Sequence, residues 1–596
     1  MTAVSLIRDA GANGRPNELR TKLSRLALFK ELRPHELDAL AGELEWQGLP
    51  GGWVLFREGE QDDSLFVVVA GRLGVVTADS EGRETIISHI TPGETVGEMA
   101  LLSGSPRSAT VVAMRDSELL RLTKQSFELL AERHPAIMRF ITRLLVQRLE
   151  RTSHRTAATG SCSTIAIVPL TRAIDPAEFA RALEGALGEL GTRVIAVDRR
   201  AAERDTEWFT ALEEAHDTVL YQADYDPSEW TRLCVRQADR ILLLAAAERP
   251  PESEPPALSV MPAAVRGEQI EMVFIHGSGA PRTQRIEEML ARFNVGFHYH
   301  VRDRRRADIA RVARLISGRA VGLVFSGGGA RGFAHIGVMK AFNAAGIPFD
   351  MTGGTSMGSM IAGAAALEWE LDETVDHLKR AFVLTNPLSD YTLPLVAVVR
   401  GRKVSRLLRE HFGDALIEDC WRPFFCTSSN LTSGQAKVHR LGPLWRAVRA
   451  SIAIPGVLPP VIDNNQILID GGVMNNLPVD VMSAMRRGRV VGVDVAREHV
   501  LTADADDLEG RSLWQLLSAK RRGTPNIIGL LMSAGMVNSE AQVKLRRQQV
   551  DVLIEPRLGN MGMLDWHSWE SAIEQGYRQT MEILEHSRDR LVAPSA

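Results

Sequence analysis

A serine framed by glycines, Gly354-Thr355-Ser356-Met357-Gly358, is the first place in this chain where residue types and spacing could do covalent chemistry. It follows Ile347-Pro348-Phe349-Asp350-Met351 and precedes an apolar helical stretch over 360–367, the strand–turn–helix setting of a nucleophile elbow. The turn lifts the Ser356 hydroxyl clear of its neighbours, and the glycines let strand and helix approach closely. Out of that setting, G-x-S-x-G is also an ordinary turn. A second candidate is Gly327-Gly328-Gly329-Ala330-Arg331-Gly332, between an apolar strand pattern over 320–325 and a helical pattern over 333–345. Backbone N–H groups of such a loop can bind phosphate or stabilise an oxyanion, and the glycines alone do not separate these uses from a tight turn. The third is Asp470-Gly471-Gly472 after Gln466-Ile467-Leu468-Ile469. A carboxylate at a strand end can reach across a cleft, and Asp-Gly is equally a common turn.

These candidates need a framework, and the chain is long enough for several cores. Its 596 residues suggest about three to five domains. With 45% hydrophobic and 24% charged residues it is ordinary globular protein, and a net charge of −4 offers no basic field for nucleic acid. Four cysteines (162, 234, 420 and 426) form no C-x-x-C pair, so neither a zinc site nor a redox motif is supported, and a reducing compartment is the simpler reading. The polar first twenty residues carry no signal-peptide pattern, and no run of about 18 apolar residues predicts a membrane span. A cytoplasmic location, with at most peripheral contact to the inner face of a membrane, is expected.

The expected organisation is a flexible tail over 1–25, a compact unit over 26–151, a Ser/Thr-rich linker over 152–163, a middle α/β layer over 164–317 and an α/β catalytic region over 318–590. In the first unit, short runs at 52–56, 64–69 and 74–76 read as strands of a barrel or sandwich, closed by a helix over 137–149. In the middle layer, apolar runs at 165–168, 193–197, 218–221, 241–244 and 272–275 alternate with helical segments, as a parallel sheet requires. No G-x-x-x-x-G-K accompanies them, so nucleotide hydrolysis is unsupported. Arginines 302, 304, 305, 306, 311 and 314 read as a solvated helix face, with contact to anionic lipid as the other use.

Taken together and in this order, Gly327–Gly332, Gly354–Gly358 and Asp470–Gly472 resemble the patatin-like phospholipase family, as does Ala450-Ser451-Ile452-Ala453-Ile454-Pro455-Gly456. The resemblance covers roughly residues 318–590. It implies a patatin-like α/β/α hydrolase with a Ser–Asp dyad: Ser356 as nucleophile, Asp470 as its base, and an oxyanion hole from the backbone of Gly327, Gly328, Gly329 and Ala330. Arg331 is expected to shape the loop or meet an anionic head group. The rival is a Ser–Asp–His hydrolase using His499 or His567, neither of which has a motif around it. His335, flanked by apolar residues, is expected to pack structurally.

In the first unit, Val96-Gly97-Glu98-Met99-Ala100-Leu101-Leu102 followed by Pro106-Arg107-Ser108-Ala109-Thr110-Val111 resembles the phosphate-binding cassette of cyclic nucleotide-binding domains. The resemblance implies that Arg107 pairs with a cyclic phosphate and Glu98 accepts from a ribose hydroxyl. Gly97 and Ala100 would let backbone donors approach. The Ser108 hydroxyl suits a phosphate or a guanine and does not decide between cAMP and cGMP. The order of units, with Cys234-Val235-Arg236-Gln237-Ala238-Asp239 between them, resembles the neuropathy target esterase family. That implies a lysophospholipid or phospholipid esterase under cyclic-nucleotide control, with no cofactor needed for catalysis. Two other classes are weighed. A nucleotide-responsive lipid-binding or scaffold protein with an inactive hydrolase conflicts with the intact motifs. A transcription regulator conflicts with the α/β layer standing where a helix-turn-helix is needed.

Overall fold

The computed structural model describes residues 33–592 except 79–83, 134–162, 205, 249–254, 257–258, 260–268, 278–285, 386–387, 394–395 and 497–546. The expected tail, the linker apart from Ser163, the helix over 137–149, Cys162 and His499 lie outside the described residues. The chain forms two compact units, one of residues 1–274 with 290–297, the other of 275–289 with 298–596.

The first unit begins with helix α1 (Pro34–Glu43) and an antiparallel sheet of β1 (Glu45–Leu49), β2 (Val54–Phe56), β3 (Leu65–Ala78), β4 (Glu84–Ile90), β5 (Thr95–Val96) and β6 (Thr110–Leu122). The short helices α2 (Glu98–Ser103) and α3 (Lys124–Arg133) accompany it. β3 and β6 pair along most of their length, flanked by β1 and β4 in the order β1-β6-β3-β4. The runs at 64–69 and 74–76 are thus parts of one long strand. Register shifts between 68 and 73 bend it, and Gly71 at φ 93 sits within them, so the irregularity interrupts the alternation that sequence reading depends on.

The middle region contributes β7 (Ser163–Pro169), α4 (Pro176–Glu189), β8 (Val194–Val197), α5 (Thr206–Ala215), β9 (Thr218–Gln222), α6 (Glu229–Gln237) and β10 (Arg240–Ala246). Four of its strands lie parallel in the order β10-β7-β9-β8. The near-continuous burial of β7, β9 and β10 explains their unbroken apolar runs. Asp239, at the head of β10, ties this sheet to the antiparallel one. Its carboxylate accepts from Arg72 on β3 at 2.8 Å and from the Thr164 N–H at 3.1 Å. Arg115 on β6 is 3.0 Å from Glu213. Burial works to raise the Asp239 pKa, but the charges of Arg72 and Arg115 prevail and hold it low.

Two more strands, β11 (Ile270–His276) and β12 (Phe297–Arg302), and helix α7 (Arg306–Ile316) lead to the last region. Here the arginine-rich segment departs from its sequence reading as a solvated face. Arg302 and Arg311 both bond the fully buried Asp308 and also Glu368, and Arg314 grips the buried Asp350 at 2.7 Å. These guanidiniums pair with carboxylates that folding takes largely out of water. Only Arg304, Arg305 and Arg306 of the group are exposed.

The second unit is built on a sheet of β13 (Ala320–Phe325), β14 (Met351–Thr355), β15 (Phe424–Asn430), β16 (Gln435–His439), β17 (Val461–Asp463), β18 (Gln466–Asp470), β19 (Gly488–Val493) and β20 (Val552–Ile554). The order is β17-β18-β15-β14-β13-β19-β20, with β16 also on β15. Its centre is parallel and the β15–β18 edge antiparallel. Around it stand α8 (Ala334–Ala344), α9 (Met357–Ala366), α10 (Arg402–Phe412), α11 (Leu444–Ser451) and α12 (Trp569–Val592). Phe325, Phe333, Phe342, Ile361 and Val448 belong to one core cluster in which each is completely buried.

Candidate active site

β14 occupies 351–355 rather than 347–351, so the chain passes from strand to helix in a single residue, Ser356. Ser356 holds φ 53 and ψ −125, a conformation rare for any residue with a Cβ. Crowding imposes the turn. A Cβ at Gly354 would stand 2.7 Å from backbone atoms of Gly358, and one at Gly358 would stand 2.3 Å from the Phe325 carbonyl oxygen. Both glycines are therefore required by backbone contact, which links the motif to β13. The Ser356 N–H donates to Ser451 Oγ at 2.8 Å, and Ser451 in turn donates to the Thr427 carbonyl. Ser451 closes α11 and holds the turn from the opposite side. Sequence reading marked its stretch without assigning it this part.

Asp470 ends β18, where the antiparallel register sets it beside Ser428 of β15. One oxygen accepts the Gly472 N–H and the other accepts the Ser356 hydroxyl, each at 2.8 Å. Serine and aspartate, 114 positions apart, are thus in direct hydrogen bond with no histidine between them. Asp470 is 7% exposed. Burial raises its pKa to about 6, against the opposing pull of the Gly472 and Ser356 bonds.

The glycine loop lies beside the nucleophile: a Cβ on Gly327 would be 3.0 Å from that of Ser356. The N–H of Gly327 is turned to the Asn476 carbonyl at 3.3 Å and that of Ala330 to the Met563 carbonyl at 2.8 Å. Arg331 is buried, donating to the carbonyls of Val495 and Met561. It shapes the loop, which was one of its two expected uses. His335 is fully buried, bonded to the Ser326 carbonyl, and burial lowers its pKa to about 4. His567 is exposed, and neither Ser356 nor Asp470 bonds it.

In the first unit, Gly97 at φ 93 starts α2, with buried Glu98 and Ala100 behind it. Arg107 is 3% exposed and lies 3.9 Å over the Phe56 ring. It donates to Asp62 at 2.6 Å, to the Ser64 carbonyl at 2.8 Å and to the Gly97 carbonyl at 3.3 Å. Burial acts to raise the Asp62 pKa, but the bond and charge of Arg107 hold it below the usual range. At φ 93 a Cβ at position 97 would stand 2.6 Å from the Ser64 carbonyl oxygen and would also meet the Arg107 guanidinium, so backbone contact and conformation both call for glycine. Ser108 is exposed beside it. Sequence reading missed Asp62, which carries no motif and meets Arg107 only through the fold. Among the described residues no group of His, Cys, Asp and Glu could hold a metal ion, and no helix is long and apolar enough to cross a membrane.

Three family descriptions match this chain: a cyclic nucleotide-binding domain over 47–134, a Neuropathy Target Esterase family P-loop like domain over 161–320, and a patatin-like phospholipase over 323–483. The chain is 31% identical to a protein named lysophospholipase NTE1 from Mycosarcoma maydis, across 96% of this chain and 35% of that one. It is 28% identical to patatin-like phospholipase domain-containing protein 6 of Pongo abelii, across 90% and 44% respectively. It spans less than half the length of these curated relatives.

Proposed function

Since the chain belongs to the patatin-like phospholipases of the neuropathy target esterase type, we propose that it is a serine esterase cleaving the carboxylic ester of lysophospholipids, and of phospholipids, under cyclic-nucleotide control. The observation that carries this reading is the 2.8 Å bond from Ser356 Oγ to a buried carboxylate, made from a backbone conformation that only a crowded turn sustains. Ser356 Oγ attacks the ester carbonyl as its proton passes to Asp470. The oxyanion rests on the N–H groups of Gly328 and Gly329, because those of Gly327 and Ala330 are already turned to carbonyls. The alcohol leaves with the proton from Asp470. Water, deprotonated by the same carboxylate, then attacks the acyl carbon; the bond to Ser356 Oγ breaks, Ser356 takes the proton back from Asp470, and the fatty acid is released.

The domain limits 26–151, 152–163, 164–317 and 318–590 belong to this reading, as do a cytoplasmic setting and peripheral contact with a membrane. No cofactor takes part in the chemistry. The cyclic nucleotide, cAMP or cGMP, is a regulatory ligand held through Gly97, Glu98, Ala100, Arg107 and Ser108. Its phosphate takes over the Arg107 donors that now serve Asp62. The partly buried cluster of Arg72, Arg115, Glu213 and Asp239 is the contact through which that unit bears on the middle region.

The test is fatty-acid release from lysophosphatidylcholine by the purified chain, with and without cAMP and cGMP. Release that changes with nucleotide supports both parts; no release from this or simpler esters in any condition moves the binding-protein reading forward. Two results are expected to accompany it. Asp470 serves as base only when ionised, so kcat/KM should fall by about tenfold per pH unit below its pKa of about 6 and level off above it. A flat profile between pH 5 and 8 would remove Asp470 from the role. Arg107→Gln should weaken nucleotide binding by roughly 10–100-fold, since it removes a charge-assisted donor pair. Calorimetric titration checks this, and unchanged affinity would place the phosphate elsewhere.

A further inference from the structure

α10, α11 and the segment 459–461 enclose an open cleft of about 430 Å³. Its walls carry Arg400, Arg402, Arg406, Arg409, Arg446 and Arg449. The spacing explains their convergence: 402, 406 and 409 share one face of α10, and 446 and 449 one face of α11. Three carboxylates bear on them. Glu410 is 3.6 Å from Arg406, Asp463 is 3.4 Å from Arg446, and the charge of Asp390 acts on Arg449. The arginines outnumber these acids two to one, so the cleft is cationic.

Arg449 is its buried member, at 5% exposure. Nη2 donates to the Pro459 carbonyl at 3.0 Å, whereas Nε and Nη1 have no hydrogen-bond partner among the described residues. A buried guanidinium with unmade donors is costly unless an anion completes it. Gly401 keeps the floor clear, since a Cβ there would stand 2.8 Å from Arg449 Nη2. Arg409 is held 4.2 Å over the Trp445 ring.

The rim is apolar. Tyr391 pairs with Val399, and the Arg400 N–H returns to the Asp390 carbonyl, so the residues on either side of this pair adjoin Arg400 of the cleft wall. Tyr391, Leu393 and Val396 are 67, 78 and 68% exposed. They suit a surface with anionic headgroups outside and hydrocarbon beneath.

We propose that this cleft receives the phosphate headgroup of an anionic phospholipid in a membrane surface while Tyr391, Leu393 and Val396 enter the apolar layer beneath. The proposal gives the lipid-hydrolase reading its docking face and rests on that reading for its purpose. Arg449 and Ser451 share α11, and Ser451 holds the Ser356 N–H, so the helix that meets the headgroup also supports the nucleophile.

The test is sedimentation of the full chain with vesicles of phosphatidylcholine alone or doped with phosphatidylglycerol, scored without turnover. Binding should require phosphatidylglycerol and weaken with salt. Arg402→Gln with Arg406→Gln, both at exposed positions, should lower the partition by about thirtyfold. Leu393→Ser with Val396→Ser should lower it by about tenfold. Both pairs should melt like wild type and hydrolyse a dissolved short-chain ester at the wild-type rate. Equal binding to both vesicle types, or variants that bind as wild type does, would overturn the proposal. So would binding of inorganic pyrophosphate without vesicle association, which would make the cleft a site for a soluble phosphate compound. A chain that binds vesicles as expected but hydrolyses nothing would sink the hydrolase reading and leave the docking surface standing.

Discussion

Ser356→Ala is expected to lower hydrolysis of lysophosphatidylcholine by about 10⁴-fold or more, with the fold and the affinity for cyclic nucleotide unchanged. The size follows from the absence, among the described residues, of any substitute nucleophile in direct bond with Asp470, whose two oxygens are taken by Ser356 and the Gly472 N–H. Folding should survive because alanine keeps the Cβ. The strained turn is held by backbone contacts around Gly354 and Gly358 and by Ser451, not by the hydroxyl. The variant also isolates a physical effect. The Ser356 bond is one of two that pull the Asp470 pKa down against burial, so its loss should move that pKa further upward. Titration of the carboxyl by infrared difference spectroscopy in the two proteins checks this. Turnover surviving in the variant would mean that another group carries the acyl.

Asp470→Asn should cost about 10³–10⁴-fold in kcat with a smaller change in KM. The asparagine oxygen can still accept the Gly472 N–H, so the turn at 470–472 persists. Its NH₂ then faces Ser356 Oγ, and an amide cannot take the hydroxyl proton. The pH dependence separates this from mere disturbance. Residual activity of the variant should lose the inflection near pH 6, because the group that titrates there is gone. A variant that is slow yet keeps the inflection would assign that pKa, and the base, to another residue. Rates from pH 4.5 to 8 on both proteins decide it.

The motifs were legible because each states a local requirement. Gly354 backs onto Gly358 within one strand–turn–helix passage, and Gly97 supplies a left-handed conformation at the start of a short helix. That Asp470 meets Ser356 across 114 positions is not a local fact; the order of motifs and their resemblance to a family supplied it. What stayed hidden is what only the sheet brings together. Ser451 reaches the nucleophile because α11 packs where β15 and β18 end, and Asp62 reaches Arg107 across the entrance to β3. The arginines make the same point. Those at 302–314 stand out as a run, yet Arg302, Arg311 and Arg314 are consumed by Asp308, Glu368 and Asp350. Those at 400–449 are scattered in sequence and converge only when α10 and α11 pack side by side. A bend hides periodicity in the same way: the register shifts of β3 made one strand read as two.

The central claim is that a fatty acyl group passes through Ser356. Acid-quenching the chain during turnover of lysophosphatidylcholine and mapping the modified peptide by mass spectrometry tests it most directly. The expected result is an acyl ester on the peptide containing Ser356, accumulating before steady state, chased by added water-soluble nucleophile and absent in Ser356→Ala. Fatty acid released at full rate with that peptide unmodified throughout, or with the acyl on another residue, would contradict it.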